Sequence, residues 1–288
     1  MKLVAAKVPV STVWTAPDAP RDIDAPAIAA QPDLATWAKS MDTETRLGLH
    51  DRTLTQLLFA EPVVVRSERD GWSEIVAPWQ PSSQDALGYP GWVPSSHLGE
   101  LPSAASDPVA VAVPTAALLA EPAGDARVVG ELSFATVLAS IEHADGYTRV
   151  ATPDGGSGWL ADGVLRSGSG TAEDRLALGS QFLGLEYLWG GTSAYGLDCS
   201  GLVHTVSRVL GLRTPRDAHD QADTLENIPI DEAQPGDLYF FARPGKPVHH
   251  VGFVSPEGML HASETGKRLE NEPLSGPRRA TLVAAARL

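Results

Sequence analysis

Tyr187-Leu-Trp-Gly-Gly-Thr-Ser-Ala-Tyr-Gly-Leu-Asp-Cys-Ser-Gly-Leu-Val203 sets the chain's only cysteine, Cys199, between a glycine-rich turn and the start of an apolar helix. A helix N-terminus carries partial positive charge from aligned peptide dipoles and unpaired N–H groups, which lowers a thiol's pKa and offers donors to an oxyanion. A single cysteine in a chain of this size is more often an inert, buried small hydrophobe. Here Asp198, Ser200, Gly196 and Gly201 surround it. A core has little use for such neighbours, whereas a reactive thiolate needs close backbone approach and access.

Downstream, Val248-His-His-Val-Gly-Phe-Val254 reads as a strand opening with imidazole, and Met259-Leu-His-Ala262 as its hairpin partner. Thiol, base and orienting group therefore occur in order. Taken singly, His250 and His261 each fit a satisfied structural histidine as well as a catalytic one; their placement on consecutive short strands favours chemistry. One cysteine and scattered histidines offer no CxxC or HExxH spacing, so no metal is expected. The Trp189-Gly-Gly turn has no Gly-Lys-Ser/Thr or GxGxxG pattern, and no cofactor is expected.

From about Ala172 to Leu288 the chain resembles the NlpC-type papain-like cysteine peptidases that cut bacterial cell-wall peptides. The resemblance rests on Tyr187-Leu-Trp-Gly-Gly191, Asp198-Cys-Ser-Gly-Leu202, Thr214-Pro-Arg-Asp217 with Gln221, Gln234-Pro-Gly-Asp-Leu-Tyr-Phe-Phe241, His250-Val-Gly-Phe253 and Leu260-His-Ala262. It implies that Cys199 is the nucleophile, His250 the general base, paired as imidazolium with the thiolate, and His261 the third residue, which orients that base. The oxyanion would be held by the Cys199 backbone N–H and a second donor. For that donor the Tyr187 hydroxyl is a candidate, a packing tyrosine being the alternative.

At 288 residues the chain exceeds a comfortable single core, so two or three domains are expected. A formal charge of −14 argues against binding nucleic acid and against docking on anionic membranes or wall polymers. One cysteine forms no internal disulfide, so nothing points to an oxidising compartment. The apolar run after Met1 is broken by Lys7 and Pro9 before it reaches signal-peptide length, and no window approaches a membrane span. The expectation is a cytoplasmic enzyme.

An internal repeat organises the first 165 or so residues. Asp70-Gly-Trp-Ser-Glu-Ile-Val76 followed by Gly91-Trp-Val-Pro94 recurs as Asp145-Gly-Tyr-Thr-Arg-Val150 followed by Gly158-Trp-Leu160. In each copy a strand pattern precedes the Asp-Gly turn and alternating apolar residues follow it, as in a hairpin. The repeat resembles bacterial SH3-like small β-barrels. The expected fold is thus multidomain: a first SH3-like barrel over 1–101 with a helical insertion, a second over 107–167, and an α+β papain-like catalytic domain over 172–288. The insertion, about Pro17 to Thr53, should hold one or two helices. Pro102–Asp107 and Ser167–Thr171 should be linkers, and Thr171-Ala-Glu-Asp174 a capping box opening a helix through Leu183.

The pairing of two SH3-like modules with these motifs resembles γ-D-glutamyl-L-diamino acid endopeptidases of the dipeptidyl-peptidase VI type. These cut between D-Glu and the diamino acid of murein stem peptides. The resemblance implies that acidic groups hold the free amine of an N-terminal L-Ala and that the first barrel closes over it. Asp217 is then the substrate-binding carboxylate, with Tyr187, Asp198 and Ser200 beside it. Glu61 and Tyr89 are the barrel candidates; a solvated strand-end charge and a turn aromatic packed on Pro90 are their respective alternatives. Ala218 stands where the family commonly has serine. The expected substrate is a murein tripeptide or related muropeptide in wall recycling, with no nucleic-acid, membrane or obligate protein partner. A secreted hydrolase acting on intact wall, an acyl transferase and a non-catalytic wall-peptide binder are the alternatives.

Overall fold

The computed structural model describes residues 1–102 and 107–288; positions 103–106 of the expected first linker lie outside the described residues. Strands β1 (Lys2–Ala6), β2 (Val10–Trp14), β3 (Thr53–Leu58), β4 (Pro62–Arg69), β5 (Trp72–Ala77), β6 (Tyr89–Pro94) and β7 (Leu98–Gly99) form one sheet in the order β3-β2-β6-β5-β4-β1-β7. A second set repeats it: β8 (Pro108–Val111), β9 (Thr115–Leu119), β10 (Val128–Ser133), β11 (Val137–Ala144), β12 (Tyr147–Ala151), β13 (Ser157–Ala161) and β14 (Leu165–Arg166). Their order is β10-β9-β13-β12-β11-β8-β14, the same position for position.

The repeated Asp-Gly pairs explain the shared hairpins. Asp70 and Gly71 have φ of 51° and 81°, and Asp145 and Gly146 have 52° and 81°. Two successive positive φ values make the tight turn whose twist matches paired strands, and Asp-Gly tolerates them. The expected closure into barrels is not seen. No ladder joins β3 to β7 or β10 to β14 among the described residues. Both β7 and β14 are two residues long, too short to bridge a sheet back onto its far edge.

Between β2 and β3 the insertion forms three short helices, α1 (Ala25–Ile28), α2 (Leu34–Ser40) and α3 (Thr43–Leu47). The extra break follows from two caps: Asp33 accepts from the Thr36 N–H and Asp42 from the Thr45 N–H. Trp37 fixes the insertion to the sheet, packing on Trp14 at 6.2 Å between ring centres and donating its indole N–H to Asp24 at 2.8 Å.

The C-terminal part is α+β. Helix α4 (Ala172–Ser180) opens with the capping box, Thr171 and Asp174 exchanging both bonds, and stops short of Leu183. After the short β15 (Thr192–Ser193) and β16 (Gly196–Leu197) comes α5 (Cys199–Val209), and Gly211, at φ 70°, lies just beyond its end. Helix α6 (Ala218–Thr224) follows. A six-stranded sheet runs β17-β22-β18-β19-β20-β21, where β17 is Glu226–Ile228, β18 Leu238–Ala242, β19 Val248–Ser255, β20 Gly258–Ala262, β21 Leu269–Glu272 and β22 Leu282–Arg287. The small α7 (Gly276–Arg279) precedes β22.

One apolar cluster crosses all three parts. It joins Trp14 and Trp37 to Phe134 and to Leu202 and Val206 of α5. Phe134 meets Phe182 edge-on at 5.0 Å. Burial on this scale couples the units, because separating them would expose large aromatic surfaces to water.

Candidate active site

Cys199 is the first residue of α5, and Asp198 caps that helix by accepting from the Gly201 N–H at 2.7 Å. The other Asp198 oxygen accepts from the Gly190 N–H at 2.9 Å, so one carboxylate ties the glycine turn to the helix start. Arg216 grips Asp198 with both Nη atoms, at 3.0 and 2.6 Å, and donates to Ser200 Oγ at 3.0 Å. The expected substrate contacts Asp198 and Ser200 are therefore engaged within the protein. Gly201 is glycine for a steric reason: a Cβ there would run into the Gly191 carbonyl.

The thiol is buried. Burial, with the Asp198 charge, pushes it up to about 12, while the Val251 and Ser200 N–H groups and Arg216 draw it back. Tyr187 is buried beside it, its hydroxyl hydrogen-bonded to Cys199 and its pKa raised mainly by burial.

His250 lies on β19 and His261 on β20, both buried, with His250 Nε2 2.7 Å from His261 Nδ1. Gly252, two residues from His250 on the same face, makes this possible: a Cβ there would stand 2.8 Å from His261 Cβ and 2.6 Å from Met259 Cγ. His261 Nε2 in turn lies 3.2 Å from Glu272 Oε1, within ion-pair distance but off the line of a hydrogen bond, and Arg278 Nε donates to that same oxygen at 3.0 Å. A proton on His261 Nε2, facing the carboxylate, leaves Nδ1 to accept from His250 Nε2–H. His250 Nδ1 is then free to take a proton.

Burial lowers the pKa of His250 well below the usual histidine value, helped by the charges of His261 and Arg278. Burial and Arg278 bring His261 to about 4, against the opposing pull of Glu272. Desolvation thus works against both charges of the thiolate–imidazolium pair expected from sequence, raising the thiol and lowering the imidazole.

Tyr89, from β6 of the first sheet, donates its hydroxyl to Asp217 Oδ2 at 2.9 Å. Asp217 sits at the N-cap of α6 without capping it, and burial raises its pKa against the pull of Arg216 and the Tyr89 hydrogen bond. Glu61 is placed differently. Its fully buried carboxylate accepts from the Leu58 N–H at 3.1 Å, Gln80 Nε2 at 2.9 Å and Arg208 Nη1 at 2.7 Å. It reaches the site only through Gln80, Thr55 and Arg216, linked by bonds of 2.6 and 2.8 Å.

Among the described residues two groups bring metal-ligand atoms together: Asp217 with His219 and Asp220, and His261 with Glu270 and Glu272. Members of both already have protein partners: Tyr89 on Asp217, the Ser83 N–H on Asp220, His250 on His261 and Arg278 on Glu272.

Sequence reasoning missed Glu272 as a neighbour of His261, and Arg216 as the clamp on Asp198. Leu269-Glu-Asn-Glu272 carried a signal, since acids two apart share one strand face; His261 pairs in register with Glu270.

Two family models match the chain: the NlpC/P60 family over residues 184–287, and the YKFC SH3b2 domain over residues 111–163. The protein is thus multidomain, with an SH3b domain ahead of the NlpC/P60 domain. It is 40% identical over 269 residues to a gamma-D-glutamyl-L-lysine dipeptidyl-peptidase of Bacillus subtilis, covering 91% of this chain and 90% of that protein. It is 34% identical to the protein of the same name from Bacillus cereus, covering 97% and 89%. The crystal structure of an NlpC/P60 family protein from Bacillus cereus superposes with a TM-score of 0.91 at 31% identity, over 99% of each chain. With its cysteine at a helix head, its histidine pair on adjacent strands and relatives matched along nearly their whole length, the chain belongs to the NlpC/P60 family.

Proposed function

We propose that the protein is a cysteine endopeptidase that hydrolyses the bond between γ-D-Glu and the diamino acid of murein stem peptides carrying a free N-terminal L-Ala. The observation that carries this reading is the convergence on Cys199 of the Tyr187 hydroxyl and the Val251 N–H, next to the 2.7 Å His250–His261 pair. The relatives' shared name, gamma-D-glutamyl-L-lysine dipeptidyl-peptidase, supports the bond and the substrate class.

Cys199 Sγ attacks the γ-carbonyl of D-Glu as its proton passes to His250 Nδ1. The Cys199 backbone N–H, in the first turn of α5 and so without an intrahelical partner, faces the oxyanion together with the Tyr187 hydroxyl. His250 then gives its proton to the nitrogen of the diamino acid, which leaves as the free amine. A water, deprotonated by His250, attacks the thioester, and the proton returns to Sγ as L-Ala-γ-D-Glu departs. His261 keeps the base in the tautomer that this cycle requires.

The amine end is assigned to the Tyr89–Asp217 pair, where one side chain comes from the first sheet and the other from the catalytic unit. We assign residues 1–101 and 107–167 to two SH3-like domains and 172–288 to the peptidase, and read the first two as open variants of the SH3-like barrel; the identical strand orders support this. The working compartment is proposed to be the cytoplasm and the role wall-peptide recycling, supported by a charge of −14 that disfavours anionic wall polymers.

The test is incubation with L-Ala-γ-D-Glu-meso-diaminopimelate and its L-Lys analogue, with mass spectrometry of the products. Release of L-Ala-γ-D-Glu by the wild type and its loss in Cys199→Ala are expected. Residual turnover above about one per cent in that variant would remove Cys199 as the nucleophile, since loss of a covalent-catalysis residue costs several powers of ten.

A further inference from the structure

A cleft of about 710 Å³ opens beside the histidine pair, lined among others by Tyr187, His250, Arg243, Lys246 and Arg278. Its lining includes neither Tyr89 nor Asp217. Under the proposed reaction the acyl half of the substrate reaches toward that pair, while the leaving nitrogen must meet the proton on His250. The side of the site that contains His250 but not the amine pair is therefore the leaving side.

The charge of this cleft is opposite to that of the molecule. Against a formal −14 for the chain, it presents Arg243, Lys246 and Arg278 with Glu264 as its one carboxylate. Glu264 is already paired with Lys267 at 2.8 Å, and Arg278 with Glu272 at 3.0 Å. Arg243 and Lys246 differ: both are exposed, and neither has an ion-pair partner among the described residues. They stand at the two ends of the turn from β18 to β19, where Gly245 at φ 68° folds the chain back and the Lys246 N–H closes on the Arg243 carbonyl at 2.9 Å. The lining also includes the stacked rings of His50 and Trp189, 3.7 Å apart.

We propose that Arg243 and Lys246 form a carboxylate-binding subsite for the leaving diamino acid. The proposal rests on the peptidase reading above. The carboxylate has two sources in a stem peptide: the distal group of diaminopimelate, or the C-terminal α-carboxylate of a tripeptide. Both place a full negative charge beyond the scissile nitrogen, where two unpaired cations attract it.

The test measures kcat/KM for the wild type and the double variant Arg243→Ala, Lys246→Ala on three peptides: L-Ala-γ-D-Glu-meso-diaminopimelate, L-Ala-γ-D-Glu-L-Lys and L-Ala-γ-D-Glu-L-Lys amide. Ratios between substrates are compared, so a partly inactive preparation lowers numerator and denominator alike. The wild type should favour at least one carboxylate-bearing peptide by about tenfold, the scale of two partly exposed charge contacts, and the double variant should bring that ratio to within about twofold of one. Collapse of the diaminopimelate-to-Lys ratio identifies the distal carboxylate, and collapse of the acid-to-amide ratio the terminal one. Release of L-Ala-γ-D-Glu with neither ratio changed overturns the subsite alone. No release from any peptide by the wild type overturns the peptidase reading with it.

Discussion

His261 Nε2 faces Glu272 Oε1 at 3.2 Å, so the histidine that orients the base is itself oriented by a carboxylate one strand further out. That carboxylate is shared with Arg278, at 3.0 Å, which anchors it. Glu272→Leu should therefore release the His261 tautomer and lower kcat by about tenfold, an order of magnitude less than the smallest typical contribution of a direct general acid–base group, with little effect on KM. Glu272→Gln, whose amide oxygen still turns a lone pair toward His261 Nε2, should recover most of the loss. Steady-state kinetics across pH 5–9 checks this; equal defects in the two variants, or a defect confined to KM, would count against a positioning role.

Arg216→Ala should be the most destabilising single change near the site. The guanidinium is buried and satisfies Asp198, Ser200 and Thr55 at once. Its removal strands a buried carboxylate at the head of α5, an effect on the order of 3–5 kcal/mol. Urea unfolding of the two proteins measures it, and a difference below about 1 kcal/mol, the scale of an exposed pair, would refute the argument.

Selectivity should reside in the Tyr89–Asp217 pair. A free L-Ala ammonium makes charge-assisted hydrogen bonds there, whereas an N-acetylated terminus leaves the half-buried Asp217 carboxylate without a cation; discrimination of about a hundredfold is expected. Asp217→Asn should raise KM for the free-amine peptide more than it lowers kcat. Comparable kcat/KM for free and acetylated peptides would contradict this.

Acid sensitivity follows from the buried imidazoles. Burial lowers His204 to about 3, His261 to about 4 and His250 well below the ordinary histidine value. The unfolded chain binds protons near pH 6.5 that the folded chain refuses, so this stability is complete above about pH 6.5 and falls as pH drops toward 4 and then 3. The Cys199 thiol, raised to about 12, acts with the opposite sign: folding holds it protonated, and that contribution is lost as pH rises above the ordinary thiol range. Melting temperature against pH should be level near neutrality and decline between about pH 6 and 4. A flat profile down to pH 4 would show that the histidines are hydrated.

The parts legible in sequence were those fixed by local constraints. The Asp-Gly pairs announced their hairpins because few other residues accept two positive φ values, and the passage from a glycine-rich turn to an apolar run announced the start of α5. What stayed hidden depends on partners far along the chain. Glu61 finds Arg208 147 residues away, so nothing near Glu61 indicates that its charge is already matched. Closure of the sheets failed on the length of β7 and β14, which repeat motifs do not encode. The opposed pKa shifts of Cys199 and His250 reflect desolvation by the assembled units, which no window of sequence contains.

The turn before the nucleophile is built against the first sheet. Thr53 Oγ1 donates to the Trp189 carbonyl at 3.0 Å, Gln56 Oε1 accepts from the Thr192 N–H at 3.0 Å, and a Cβ on Gly190 would stand 3.2 Å from Thr53 Oγ1. Each of these hydrogen bonds spans 136 residues, and Thr53 and Gln56 come first. Synthesis runs from the N-terminus, so residues 53–56 have left the ribosome and can be folded well before Gly190 is added. The cysteine-bearing loop thus meets a finished surface on emergence and is shaped on it, with the N-terminal sheet serving as a mould supplied in one copy with every nucleophile.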